Sequence, residues 1–200
     1  MKTISKVWGN LYSSLGQIDS KCPLENALVK RIMRPQQYRE RAKMVTERIN
    51  AQDTILEIGC GYGGLAQEIL KIMPVSYTVV ENEPMLTLAK KFLGDRVEYI
   101  DAEKIEMLQD RKFGLFISVY CLSETPAEYR EYVLKEITKN CQKIFIIDLD
   151  DTVKPTPKML EDGWEMLPVN IEKWIEKYFI FKKKGHRRTK YNTYMGERKK

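Results

Sequence analysis

Between residues 54 and 149 five short apolar stretches alternate with segments of helical periodicity. The strands are predicted at 54–58, 77–81, 97–100, 113–119 and 143–149, with helices at 63–73, 84–93 and 126–138. Leu115-Phe116-Ile117 and Phe145-Ile146-Ile147 are apolar at consecutive positions, so such strands need cover on both faces. A mostly parallel sheet clad in helices supplies that cover. The expected fold class is therefore α/β, a Rossmann-like doubly wound sheet with right-handed crossovers.

Two flanks complete the expected architecture. Residues 24–33 and 36–50 read as helices parted by Pro35, and in the second Tyr38, Ala42, Val45 and Ile49 recur at helical spacing. Residues 1–50 are thus expected to form an N-terminal helical cap on a single compact unit spanning 51–200. After Asp151 a loop at Lys154-Pro155-Thr156-Pro157 leads to a short helix at 169–178. Strands at 178–183 and 189–195, joined by the turn around His186, should add a C-terminal antiparallel hairpin.

With 200 residues the chain suits one domain. It has no apolar run near the ~18 residues needed to span a bilayer, and Met1–Ser14 lacks the apolar stretch of a signal peptide. A cytoplasmic protein with no membrane partner is expected. Cys22, Cys60, Cys121 and Cys141 are widely spaced and expected to be free thiols. The net charge of +6 is uneven: residues 151–200 hold thirteen Lys/Arg against seven Asp/Glu, concentrated around 182–188 and 198–200. Such a run is either a solvated turn and tail or a contact for an anion such as nucleic acid.

The first strand breaks into glycines at Gly59-Cys60-Gly61-Tyr62-Gly63-Gly64. Glycines between a strand and a helix let the backbone approach a ligand. Gly59, Gly61 and Gly64 also satisfy the G-x-G-x-x-G pattern of dinucleotide sites, with Glu81 where a ribose-binding acid belongs. Glu57 argues against that reading, because a carboxylate two residues before the loop repels a diphosphate. The chain is also too short for a separate substrate domain. A nucleotide-like cofactor that carries positive charge and no phosphate fits better, and S-adenosyl-L-methionine is one.

Three segments, Glu57-x-Gly59-x-Gly61-x-Gly63, then Val79-Val80-Glu81-Asn82-Glu83-Pro84-Met85-Leu86, then Asp101-Ala102-Glu103, resemble the class I S-adenosylmethionine-dependent methyltransferases in order and spacing. The resemblance spans roughly residues 54–149. It implies that the glycine loop passes under the methionine portion, with Glu57 near its amino end. It further implies that Glu81 accepts from both ribose hydroxyls and Asp101 from the adenine amino group, with Ala102 against the ring and Asn82 on its other side. Gly59, Cys60, Gly61 and Val119 complete the cofactor-binding set. Tyr38 and Arg39 are candidates for the cofactor's carboxylate.

The methyl acceptor is less legible. The fourth strand ends in Ser118-Val119-Tyr120-Cys121-Leu122-Ser123-Glu124-Thr125-Pro126, without the Asn/Asp-Pro-Pro-aromatic signature expected of DNA-base methyltransferases. The stretch is similar to a set of sugar O-methyltransferases, which implies a small-molecule hydroxyl acceptor, a sugar or an anionic nucleotide-sugar. A hydroxyl needs a base as the new bond forms. Glu124 is the first candidate, against the alternative that it only starts the next helix. His186, the sole histidine, is the second. Asp148, Asp150 and Asp151 follow the fifth strand as a weaker metal-binding alternative, and no metal site is assigned. Trp8, Tyr12 and Trp164 are candidates for stacking on an acceptor, or for core packing. Two further readings stay open: an RNA methyltransferase using the basic segment, and a non-catalytic S-adenosylmethionine-binding module.

Overall fold

The computed structural model describes residues 35–149, 164–167 and 191–198. Its elements are helix α1 (Pro35–Thr46), strand β1 (Thr54–Ile58), helix α2 (Gly64–Ile72), strand β2 (Ser76–Glu81) and helix α3 (Glu83–Leu93). Strands β3 (Glu98–Asp101) and β4 (Phe113–Val119), helix α4 (Ala127–Tyr132) and strands β5 (Cys141–Leu149), β6 (Trp164–Leu167) and β7 (Tyr191–Arg198) follow. The strand order is β3-β2-β1-β4-β5-β7-β6. Strands β1 to β5 run parallel, as their two-sided apolar sequences require.

Alternate residues divide the sheet's side chains between two layers. Ile55, Tyr77, Val79, Leu115, Ile117, Phe145 and Ile147 face a core completed by Ala42 and Val45 of α1, Leu65 and Ile69 of α2, and Leu86 and Leu93 of α3. Leu56, Ile58, Val80, Ile100, Phe116, Ile144 and Ile146 face the other way, onto Ile105, Leu108, Tyr129, Val133 and Ile137. Each fully buried Leu, Ile or Phe contributes about 1.5–3 kcal/mol, so the two layers hold the strand ends firmly in register.

The five parallel strands lie within two residues of the predicted bounds. The helix predicted at 126–138 is shorter: α4 ends at Tyr132, continues as a wider π turn over Val133–Ile137, and closes with a tight turn at Thr138–Asn140. The C-terminus departs more. β7 is the second strand of the expected hairpin, but its neighbours among the described residues are β5 and β6, both antiparallel to it. β6 was not anticipated, since four residues give no readable period. The segments at 24–33, 169–178 and 178–183, together with His186, Asp150 and Asp151, lie outside the described residues.

Candidate functional site

The C-terminal ends of β1 to β5, where such sheets bind ligands, each carry or are followed by an acid: Glu57, Glu81, Asp101, Glu124 and Asp148. Burial pushes the Cys121 thiol well up, and the charges of Glu81, Glu124, Asp148 and Glu57 push it further. The fold therefore brings acids from four strand ends around one residue. This crowding is the site's main electrostatic feature.

The glycine loop is shaped by its neighbours. Gly59 has φ +81, and a Cβ there would stand 2.2 Å from the Cβ of Cys121, so no larger residue fits. Its N–H donates to the Val80 carbonyl at 2.9 Å, tying the loop to β2. Gly61 also has positive φ, +54, yet a Cβ there would meet nothing within 4 Å. The fold leaves that space open, and it is where a ligand can lie against bare backbone.

Glu81 holds this loop in place. One carboxylate oxygen accepts from the Gly61 N–H and the other from the Asn82 N–H, both at 2.9 Å. The Asn82 side chain accepts from the Met85 N–H at 3.2 Å and caps α3. Asp101, opposite Glu81 in the β2–β3 register, accepts from the Glu103 N–H at 3.0 Å. Ala102 is buried in the second layer, and half-buried Val119 packs against the first.

Glu57 is 2% exposed and accepts from the Tyr77 hydroxyl at 2.9 Å. Burial raises its pKa to about 7, against the Tyr77 hydrogen bond, which lowers it; the nearby charge of Glu81 adds to the rise. Cys60, buried in the loop, is likewise pushed well up, chiefly by burial and then by Glu81 and Glu57.

Sequence reasoning missed two residues. Tyr120 has φ +55, and among the described residues no other non-glycine has positive φ. A bulky residue there is strained by about 1–3 kcal/mol, a cost that recurs at functional sites. Its N–H donates to the Ile147 carbonyl at 2.7 Å, and its hydroxyl accepts from Arg41 Nη2 at 3.2 Å. The Arg41 guanidinium is also 5.1 Å from the Tyr120 ring and 6.0 Å from that of Tyr38. Only 5% exposed, Arg41 is buried. The signal was present: Arg41 lies three residues after Tyr38 and four before Val45, on their side of the helix. Arg39 instead lines a surface pocket of about 250 Å³ with Tyr38, Tyr62 and Lys71.

Glu124 is exposed and ends a tight turn, Leu122–Glu124, directly after β4. That turn is pinned by Ser123 N–H donating to Asp148 at 3.1 Å and by Arg130 donating to the Leu122 carbonyl at 3.2 Å. Helix α4 starts at Ala127 behind Pro126, and the acid in its first turn is Glu128. Glu124 therefore does not serve as the helix's opening acid. Among the described residues no group of three or more His, Cys, Asp or Glu is arranged to hold a metal ion.

The acids and the loop fit S-adenosylmethionine. The open space over Gly61 admits a ligand against the backbone, and a carboxylate-lined mouth suits ammonium, sulfonium and hydroxyl groups.

Comparison with known proteins gives the same answer. Residues 55–143 match a family described as a methyltransferase domain. Over 45 residues the chain is 56% identical to ribosomal RNA small subunit methyltransferase A of Chlorobium phaeobacteroides; the match covers 22% of this chain and only 16% of that relative. The fold is shared with magnesium protoporphyrin IX methyltransferase from Synechocystis PCC 6803, solved with S-adenosylmethionine bound (TM-score 0.63, 10% identity, 98% of this chain and 97% of that one). It is shared too with mitomycin 7-O-methyltransferase (TM-score 0.58, 16% identity, 93% and 61%) and an rRNA methylase from Streptococcus thermophilus (TM-score 0.56, 11% identity, 80% and 94%). At these identities the structures speak for the fold, while the family match speaks for the activity. Residues 55–143 thus match a methyltransferase domain, on the fold that S-adenosylmethionine-dependent methyltransferases share.

Proposed function

We propose that this domain methylates a hydroxyl of a small acceptor, such as a sugar, with Glu124 as the general base. The observation that carries the reading is Glu124 itself: an exposed carboxylate, outside α4, on a turn fixed at the end of the central strand β4. S-adenosylmethionine supplies the methyl group. The chain's part is to align the acceptor and take its proton as the bond forms, which contributes about 10²–10⁴ in rate. The acids at the strand ends, with Glu124 the exposed one, favour an uncharged acceptor over a phosphate-bearing one. Glu57, Gly59, Cys60, Gly61, Glu81, Asn82, Asp101, Ala102 and Val119 hold the cofactor in this reading. Tyr120 and Arg41 shape the wall between it and the acceptor.

Glu124→Gln should lower kcat with a sugar acceptor by at least about a hundredfold and leave cofactor affinity within about twofold. Product formation and calorimetry on the same preparation measure both. Full activity in that variant would remove Glu124 from the chemistry.

A second reading, methyl transfer to RNA, is supported by the short stretch shared with the ribosomal RNA methyltransferase and by the basic run at 182–188. His186 lies in that run. Labelled methyl groups should enter an RNA pool, with a steep salt dependence, if this reading holds; incorporation into sugars alone rejects it. Among the described residues no helix is long and apolar enough to cross a membrane.

A further inference from the structure

Glu57 and Asp148 are the two acids of the mouth that the fold withdraws from solvent. Asp148 accepts from a backbone amide, whereas Glu57 accepts from a phenol. Tyr77 stands opposite Ile55 and Glu57 opposite Val79, so the two lie diagonally across the β1–β2 pair on one face of the sheet. Tyr77 is 2% exposed and packs among apolar side chains of that layer such as Ile55 and Val79. Packing there asks for a ring and gives no use for a hydroxyl; phenylalanine would fill the same volume. What the hydroxyl does is hold Glu57. The other titratable group acting on this carboxyl is Glu81 at the end of β2, and Glu57 in turn helps to raise the thiols of Cys60 in the glycine loop and Cys121 after β4. The buried cation of α1, Arg41, is engaged with Tyr120.

We propose that Tyr77 is a positioning residue for the cofactor: its hydroxyl fixes the Glu57 carboxyl beside the glycine loop, where that carboxyl pairs with the arriving ammonium group. The inference rests on the reading that Glu57 faces the amino group of S-adenosylmethionine. The balance is simple. A neutral carboxyl and an ammonium become a carboxylate–ammonium pair, and one proton goes to the buffer.

The direction of the pH dependence follows from burial, which holds Glu57 protonated up to about pH 7. Below that value the proton must be displaced, so affinity falls with pH. The cofactor's own α-amino group loses its proton near pH 8, which sets an upper limb. Affinity should therefore peak between about pH 7 and pH 8 and be severalfold weaker at pH 6. Tyr77 stabilises the charged form of Glu57, so removing its hydroxyl moves the lower limb upward and leaves the upper limb alone.

The test is calorimetric titration of the whole chain with S-adenosylhomocysteine, which keeps the amino group, from pH 6 to 8.5 in buffers of high and low ionisation enthalpy. At pH 6.5 the wild type should release most of one proton. Tyr77→Phe should bind about fivefold more weakly at pH 6.5 but less than about twofold more weakly at pH 8. Glu57→Gln should bind with no proton release and no lower limb. An equal loss at every pH in Tyr77→Phe, or none, overturns the role given to Tyr77, as does undiminished proton release in Glu57→Gln. Infrared difference spectra of the cofactor-free protein separate the protonation of Glu57 from its contact with the amino group. A neutral-carboxyl band at pH 6.5, absent from Glu57→Gln and lost as the pH is raised past about 7, belongs to Glu57. If that band is present and binding releases no proton, it is the contact with the amino group that fails.

Discussion

Replacing Glu81 by alanine should weaken S-adenosylmethionine binding by more than tenfold and loosen the glycine loop at the same time. In the cofactor-free fold both oxygens of this carboxylate already work, one on the Gly61 amide and one on the Asn82 amide. Hydrogen bonds to a charged acceptor are worth about 1.5–3 kcal/mol each, so losing the Gly61 tether alone frees the loop's most open residue. Ribose hydroxyls would share the same carboxylate, through lone pairs that the two amides do not use. Calorimetry reports the affinity, and amide exchange at Gly61 reports the loop. Glu81→Gln retains one carbonyl oxygen and should fall between alanine and wild type. Wild-type affinity in Glu81→Ala would remove this residue from the cofactor site.

Alanine at Gly59 and at Gly61 should have opposite consequences, although the two glycines are two residues apart. At Gly59 a methyl group would sit 2.2 Å from the Cβ of Cys121 on a backbone with φ +81. Left-handed strain of about 1–2 kcal/mol and overpacking of about 1–3 kcal/mol combine there, so the variant should lose about 2–5 kcal/mol of stability. At Gly61 only the strain applies, because nothing lies within 4 Å. That variant should fold, lose about 1–2 kcal/mol, and fail to bind the cofactor because the methyl group enters the space it needs. Urea unfolding and calorimetry on both variants check this. A stable Gly59→Ala, or a Gly61→Ala that binds normally, would contradict the division of labour.

The sheet was legible because its strands are apolar at consecutive positions, a pattern that physical chemistry allows few homes. Phe113–Val119 and Thr54–Ile58 fall where the residues place them. What the sequence hides is anything that depends on register. Glu81 reads as a ligand-binding acid at the end of a strand; its hold on Gly61, twenty residues away, exists only because β1 and β2 align Ile58 with Val80. The Tyr77–Glu57 bond has the same origin. Arg41 and Tyr120 are seventy-nine residues apart, and no local rule pairs them. Asn82 was read for its chemistry toward a ligand, whereas the sequence Asn82-Glu83-Pro84 is also an ordinary helix start, and its side chain does cap α3. β6 escaped notice because four residues carry too little pattern, and its sheet position is defined wholly by β7.

That position has a consequence for how the chain comes to be made. β5 leaves the ribosome well before its neighbour β7, with about forty residues and all of β6 emerging in between. At roughly 5–20 residues per second the wait lasts about 2–8 s. Throughout it β5 presents an unpaired edge along Ile144–Ile147, the sort of edge that recruits other chains. β6 meanwhile has no described partner to join. Among the described strands, the one that covers this edge and joins β6 to the sheet is thus made after both of its partners, and fast docking of β7 is what shortens the exposure.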